Sequence, residues 1–374
     1  MYLANTRGIA NLFRHKPLAV KSIAVQNIMG RLAFRLGFGL SEGYSQRPEQ
    51  VTVVVTDVCN LRCKMCQYAY SDASGYQLNQ VGKMDPTLYR KLMDDIPGRP
   101  MVSITGGEPL LHPQIADLIT YTHSLGRPIS LTTNGWLLER KAALLAEAGL
   151  DFLVVSVDGP PELHDQIRGQ GSFERLSAGL ETLLQIRQRP LVFISMALSD
   201  LNYTKLEQMV DLANDWGVDG LNFNHLWMQT DHTVDLYNLR FADMFPADAV
   251  AWEVDPACVD GERLAATLER IRRKNWGGSM IVMETPYLER EDIITWYSNP
   301  EKFVNWTDTR CAWVRMKVWP DGRVKPCRGW SAGNIKDQHT LEVWNGKRYR
   351  EFRQLLSDNQ TLPLCARCCY MAHR

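Results

Sequence analysis

The feature that most constrains this chain is a short loop of three cysteines set directly behind a strand-forming run. Val51–Thr56 consists only of valine and threonine, a β-branched run that predicts a buried strand. Cys59-Asn60-Leu61-Arg62-Cys63-Lys64-Met65-Cys66 follows, with the spacing C-x3-C-x2-C. Structural zinc sites close four ligands around the ion, usually in paired short spacings. A four-iron four-sulfur cluster normally takes four thiolates. Three thiolates on one loop leave a metal position unfilled, so one iron of such a cluster could take an outside ligand. A zinc site finished by a distant histidine, or three unrelated buried cysteines, are the plainer alternatives.

The nine cysteines of the 374-residue chain fall into two groups, Cys59, Cys63 and Cys66, then Cys311, Cys327, Cys365, Cys368 and Cys369, with Cys258 alone between them. An odd count in a long chain with no signal-peptide pattern argues against a secreted disulfide scaffold and for metal ligands in a reducing cytoplasm. Cys258 reads as a single buried thiol. Lys+Arg and Asp+Glu both number 42, so no global attraction to nucleic acid is expected. No apolar run reaches the roughly 18 residues of a membrane span.

Behind the first strand the chain alternates. Val102–Thr105, Ile129–Thr133, Phe152–Val157, Leu191–Ala197 and Leu221–His225 read as strands. Pro86–Ile96, Pro113–Leu125, Leu137–Ala148, Ser172–Arg187 and Tyr203–Trp216 read as helices. Six strands with helices between them predict right-handed crossovers and a parallel sheet. Six are too few for a closed eight-stranded barrel, so a partial, open-sided (β/α)6 barrel of the α/β class is expected. Ligands of such folds sit at the C-terminal ends of the strands. Cys59, Gly106-Gly107-Glu108-Pro109, Thr132-Thr133-Asn134-Gly135 and Ser156-Val157-Asp158-Gly159 all fall there. Asn222 and His225, on strand six, either line the cavity or are satisfied interior polar groups.

The three-cysteine loop, the Gly-Gly-Glu-Pro and their order along residues 51–225 resemble the radical S-adenosylmethionine (SAM) superfamily. The resemblance implies that the cluster's free iron chelates the amino and carboxylate groups of SAM. It also implies reductive cleavage to a 5′-deoxyadenosyl radical that takes a substrate hydrogen, with electrons from a reductase or flavodoxin-type donor. The residue types suit that cofactor. Gly106 and Gly107 would permit close approach of a ligand, and Glu108 could accept from its ammonium group. Arg168 is a candidate partner for its carboxylate. Thr133, Asn134 and Ser156 could bond the ribose, and the main chain at Met65 could read adenine.

Nearer the C-terminus, Val314–Trp319 and Arg323–Lys325 around Asp321-Gly322 predict a hairpin, and Leu341–Leu356 predicts a helix. Together with Cys311, Gly322-x4-Cys327, Gly333-Asn334-Ile335, Trp344-Asn345-Gly346 and Cys365-x2-Cys368, this stretch resembles the SPASM/twitch extension of radical SAM enzymes. A full SPASM domain has seven cysteines and two auxiliary clusters. Five cysteines here imply one auxiliary 4Fe–4S cluster on Cys311, Cys327, Cys365 and Cys368, with zinc as the alternative and Cys369 as a spare or substitute ligand.

Four segments result. Residues 1–50 carry a basic amphipathic helical pattern, with six Lys or Arg and no acid in residues 1–40 and an apolar stripe at Val25, Ile28, Met29, Leu32 and Leu36. That helix either packs on the protein or docks peripherally on the anionic inner face of a membrane. Residues 51–225 form the barrel. Residues 226–305 break the alternation, with one helix at Glu262–Asn275, and would cover the open side with their tryptophans. Residues 306–374 form the auxiliary domain. The expected activity is that of a cytoplasmic radical SAM oxidoreductase on a small or lipid-like substrate. A ribosomal-peptide maturase and a non-catalytic iron–sulfur sensor or electron carrier are the rivals.

Overall fold

The computed structural model describes residues 42–66, 81–227, 229–247, 255–274, 280–304, 306–308, 311–327, 329–359, 361–368 and 372–373. The amphipathic stripe and Cys369 lie outside the described residues.

The alternation forms as expected, with one helix more, Pro161–Arg168, ahead of the one at Ser172. Strands β1 (Gln50–Thr56), β2 (Met101–Gly106), β3 (Ile129–Thr133), β4 (Phe152–Ser156), β5 (Leu191–Leu198) and β6 (Gly220–His225) pair in sequence order, all parallel. Helices α1 (Pro86–Asp95), α2 (Ile115–Ser124), α3 (Leu138–Glu147), α4 (Pro161–Arg168), α5 (Ser172–Leu184) and α6 (Leu206–Trp216) make the connections. Their ends follow local chemistry. The Asp85 carboxylate accepts from the Thr87 amide at 2.7 Å, and Pro86 then occupies the first turn of α1. One face of each strand is sealed against helices, as with Val51, Val53 and Val55, Val102 and Ile104, Ile194 and Met196, and Leu221 and Phe223. The opposite face is mixed, with half-buried Thr105, Thr132, Ser156, Ser195, Asn222 and Asn224 beside Val54, Val154 and Phe193.

Residues 226–305 depart from expectation. Rather than ending the alternation, they supply helices α7 (Asp231–Phe241), α8 (Gly261–Arg273) and α9 (Arg290–Ser298) and a seventh parallel strand, β7 (Ile281–Thr285), on β6. Ile281–Thr285 is short and mixed in polarity, so period alone did not separate it from a loop. The chain reaches β7 through α8, whose apolar residues Leu264, Leu268 and Ile271 join the main core. Cys258 was read as buried but is exposed, with its thiol 3.4 Å from Asp255 Oδ2. It sits in a short 3-10 turn at the surface, so packing does not enclose it.

Beyond β8 (Trp306–Asp308) and α10 (Cys311–Val314) the hairpin appears as β9 (Arg315–Val318) and β10 (Arg323–Val324), followed by β11 (Gly333–Asn334). Strand β9 lies parallel to β1, so the hairpin extends the barrel sheet, whose order is β11-β10-β9-β1-β2-β3-β4-β5-β6-β7. Among the described residues neither edge strand, β11 or β7, pairs further. The single helix expected at Leu341–Leu356 is two, α11 (Thr340–Trp344) and α12 (Lys347–Asn359), parted at Asn345-Gly346. The break lets Asn345 bond both the N–H and the C=O of Ser45, at 3.0 and 2.9 Å. Arg353 of α12 adds a bond to the Gly43 carbonyl, so residues 43–45 are clamped by the C-terminal elements. A short strand β12 (Ala372–His373) pairs with β8.

Candidate cofactor site

The cysteine loop leaves β1 and is pinched closed at its base. Thr56 Oγ1 donates to the Gly82 carbonyl at 2.9 Å, while the Asp57 carboxylate accepts from the Val81 and Gly82 amides at 2.6 and 2.7 Å. Within the loop the Cys66 amide bonds the Cys63 carbonyl, and the Lys64 amide bonds the Ile167 carbonyl at the end of α4. Cys59, Cys63 and Cys66 thereby line one cleft of about 380 Å³. Burial pushes the Cys63 thiol up to about 12, against the pull of Arg168. A bare thiolate is costly there, and a positively charged group in the cleft would offset that cost.

The expected partners converge on the same cleft: Gly106 and Gly107 from β2, Thr133 and Asn134 from β3, Ser156 from β4, Arg168 from α4, and Met65 from the loop. The glycines also have a close neighbour within the chain. A Cβ on Gly106 would stand 2.2 Å from the Thr56 carbonyl oxygen, and one on Gly107 would stand 2.4 Å from that of Val58. The crowding is with the root of the cysteine loop, to which the Gly107 and Glu108 amides donate at 2.8 Å. The glycines therefore let β2 close on that loop.

Glu108 stands behind the wall, fully buried. Its Oε1 accepts from Leu110 N at 2.9 Å and Thr133 Oγ1 at 2.7 Å, and its Oε2 from Asn134 N at 2.7 Å. Burial raises its pKa, and these three bonds with the charge of Arg168 oppose the rise. The carboxylate is a strut from β2 to β3, and its influence on the cleft runs through Thr133 and Asn134. Pro109 opens the 3-10 turn that follows and is buried. Asn134 is itself held, donating to Asn60 Oδ1 at 2.9 Å.

Arg168 ends α4. Its Nε bonds Asp158 Oδ2 at 2.5 Å, and its Nη1 lies 3.9 Å from Cys63 Sγ. Asp158 is fully buried, and its other oxygen accepts from the Ala197 amide at 2.9 Å. The guanidinium is thus aimed into the cleft by a carboxylate that also joins β4 to β5. Met65 packs with Ile167 and Leu226, so its side chain belongs to an apolar wall. Asn222 and His225 separate by strand period. His225 faces the helices, bonded to Glu284 Oε1 at 2.9 Å and the Tyr297 hydroxyl at 3.0 Å. Asn222 is on the cleft-side face.

The C-terminal thiols form a second group. Burial pushes Cys311 up to about 12, and nearby Cys368 and Cys327 add to the rise. Cys365 is raised well above its ordinary value by burial and then by Cys368, Cys311 and Cys327. The thiols lie within electrostatic reach of one another. Their residue type suits iron–sulfur or zinc, although no three ligands among the described residues already stand together as a metal site.

Asp57, Asn60, Leu226 and Arg367 had no role in the sequence reading, although Arg367 had a usable signal, a cation inside a cysteine pair. Asp158 was placed at a strand end and Trp227 in the covering segment, without a partner for either.

Residues 53–213 match the model of the radical SAM superfamily, and residues 310–369 match SPASM, an iron–sulfur cluster-binding domain. An AdoMet-dependent heme synthase of Oleidesulfovibrio alaskensis is 33% identical, over 84% of this chain and 79% of that protein. A tungsten-containing aldehyde ferredoxin oxidoreductase cofactor-modifying protein of Pyrococcus furiosus is 24% identical, over 84% and 85%. The fold resembles Streptococcus suis SuiB bound to S-adenosylmethionine, with a TM-score of 0.59 and 17% identity over 86% of this chain and 72% of that one. It also resembles anSMEcpe with bound AdoMet, at 0.58 and 19% over 86% and 89%.

Proposed function

This chain belongs to the radical SAM superfamily and carries a C-terminal SPASM domain, and from that premise we propose that it is an oxidoreductase acting on a small or lipid-like substrate. Its cofactors are S-adenosylmethionine, a 4Fe–4S cluster in the barrel and auxiliary iron–sulfur in the C-terminal domain. When bound, these cofactors would supply reductive cleavage of SAM and abstraction of a substrate hydrogen.

The carrying observation is that Cys59, Cys63, Cys66 and the Asp158-held Arg168 share one cleft with the ends of β2, β3 and β4. In this reading the three cysteines hold the barrel cluster and Arg168 meets the carboxylate of SAM. Gly106, Gly107, Glu108 and Pro109 set the wall, Thr133, Asn134 and Ser156 face the ribose, and the main chain at Met65 faces the adenine. Cys311, Cys327, Cys365 and Cys368 hold a single twitch-type auxiliary cluster. We assign the barrel to residues 51–225, its cover and seventh strand to 226–305, and the auxiliary domain to 306–374.

The lipid-like reading rests on the cleft's apolar wall of Leu61, Met65, Leu226 and Trp227 and on the basic, acid-free residues 1–40. No helix among the described residues is long and apolar enough to cross a membrane. Contact through residues 1–40 would be peripheral, from the cytoplasmic side. A haem-type macrocycle with carboxylate side chains fits less well. Arg168 is the single cation among the described lining residues, and this reading already gives it to the carboxylate of SAM. The test is anaerobic reconstitution. About eight irons per chain are expected, with dithionite-dependent formation of 5′-deoxyadenosine. Replacing Cys59, Cys63 and Cys66 by Ala should remove about four irons and abolish cleavage. Iron-replete protein that leaves SAM intact would refute the proposal.

A further inference from the structure

The inner face of the sheet continues past the cofactor cleft. Ser156 and Ala197 line the cleft, and strand register carries their face onward. Ser156 pairs with Ser195, which pairs with Asn222, and Ala197 pairs with Asn224, which pairs with Thr285. Partners in register share a face, so Ser195, Asn222, Asn224 and Thr285 stand on the side of the sheet that the cofactor uses. All four are half-buried rather than sealed against helices.

These side chains form one hydrogen-bonded ladder across β5, β6 and β7. Thr285 Oγ1 donates to Asn222 Oδ1 at 3.1 Å, Asn222 Nδ2 to Asn224 Oδ1 at 2.8 Å, and Asn224 Nδ2 to Ser195 Oγ at 2.7 Å. An asparagine amide has two N–H donors and a serine hydroxyl one. The ladder therefore leaves one Asn222 N–H and the Ser195 hydroxyl proton to donate elsewhere. No Asp, Glu, Lys or Arg stands on this face of β1 to β7, since Glu284 is buried on the opposite side of β7 with His225 and Arg272. An anion brought here would lose its hydration with no cation on these seven strands to meet it, whereas a neutral acceptor would find donors already oriented.

We propose that this ladder is a substrate subsite for an uncharged hydrogen-bond acceptor, an amide or ester carbonyl or a hydroxyl. The rest of an amphiphilic substrate lies along the apolar wall at Leu226 and Trp227. The assignment rests on the reading of the chain as a radical SAM enzyme with a lipid-like substrate, and it names the chemistry of that substrate's polar end. Asn222 and Asn224 set specificity, and the cysteines and Arg168 serve the cofactor.

A matched pair of amphiphiles tests it. Octanamide and octanoate are nearly isosteric and differ in charge. Titrated calorimetrically into the reconstituted, SAM-bound enzyme, octanamide should bind at least tenfold more tightly than octanoate. Asn224→Asp should widen that preference, since its carboxylate repels a second anion, while the affinity for SAM stays within twofold. Asn224→Ser, which keeps a neutral polar group, should retain the preference and covers the case in which the aspartate variant does not fold. Octanoate binding as tightly as octanamide, binding of neither, or a preference unchanged in folded Asn224→Asp overturns the subsite. Failure of the wild-type enzyme to bind or cleave SAM would instead overturn the functional reading beneath it.

Discussion

Replacing Arg367 with Met should unseat the C-terminal cluster loop while leaving the barrel cluster in place. Arg367 lies between Cys365 and Cys368 and is only 1% exposed. Its Nε donates to the Trp296 carbonyl at 2.7 Å, its Nη1 to those of Lys302 and Ala366 at 2.6 and 2.8 Å, and its Nη2 to those of Thr295 and Asn299. Thr295 and Trp296 belong to the last turn of α9, where carbonyls lack partners within the helix. The guanidinium also lies 4.9 Å from the centre of the Trp296 ring. Burial lowers its pKa to about 10, so it stays protonated at neutral pH. Methionine keeps much of the volume and strands the carbonyls. Charge-assisted bonds contribute about 1.5–3 kcal/mol each, and not additively, so a total loss of about 3–5 kcal/mol is expected. That is a large part of the roughly 5–15 kcal/mol that holds a typical domain folded. The assay is urea unfolding of the iron-loaded chain, with iron counting and electron paramagnetic resonance of the reduced clusters. About four of eight irons should be lost, while the signal that responds to SAM remains. Arg367→Lys, with three donors, should recover part of the loss. Stability within about 1 kcal/mol of wild type together with full iron would refute the reasoning.

Other outcomes follow from the cleft. Arg168→Ala should weaken SAM binding by tenfold or more with both clusters retained, since one charge-assisted bond is worth about 1.5–3 kcal/mol. Unchanged affinity by equilibrium dialysis would remove Arg168 from the site. Asp158→Asn should reproduce part of that effect, because it frees Arg168 without deleting it. Glu108→Gln should weaken SAM binding less than Arg168→Ala, because its effect passes through Thr133 and Asn134. His164 is fully buried and its pKa is depressed to about 4, by burial first and then by Arg168. Its folded value lies below the unfolded one of about 6.5, so this contribution to stability is complete above about pH 6.5 and fades as pH falls towards 4, by about 3 kcal/mol in all. His164→Gln should flatten that acid slope in urea titrations, and an unchanged slope would place the titration elsewhere. Anionic liposomes should sediment the full chain at low salt, and Arg31→Glu with Arg35→Glu should reduce the effect, at about 1 kcal/mol per basic residue. Indifference to those vesicles would leave residues 1–40 with no membrane role.

The sequence by itself determined whatever was written in local spacing. The β-branched run before Cys59, the C-x3-C-x2-C loop, the Asp-Gly turn at Asp321-Gly322 and the helix punctuation at Asp85-Pro86 each depend on neighbours a few residues away. Tertiary structure decided the rest, because those partners are distant in the chain. Only the fold could show that Gly106 and Gly107 press on the root of the cysteine loop, or that Glu108 faces β3 and not the cleft. Ile281–Thr285 became a strand because β6 offered an open edge and α8 supplied the crossover, neither of which is encoded in those five residues. Strand period made Asn222 and His225 face opposite ways, but register with Ser195 and Ala197 was needed to say which face the cofactor cleft shares. Arg367 meets its acceptors on a helix some seventy residues earlier in the chain. Local spacing sets local geometry through steric and hydrogen-bonding rules of a few residues' range, whereas a site assembled at strand ends is set by which strands lie side by side.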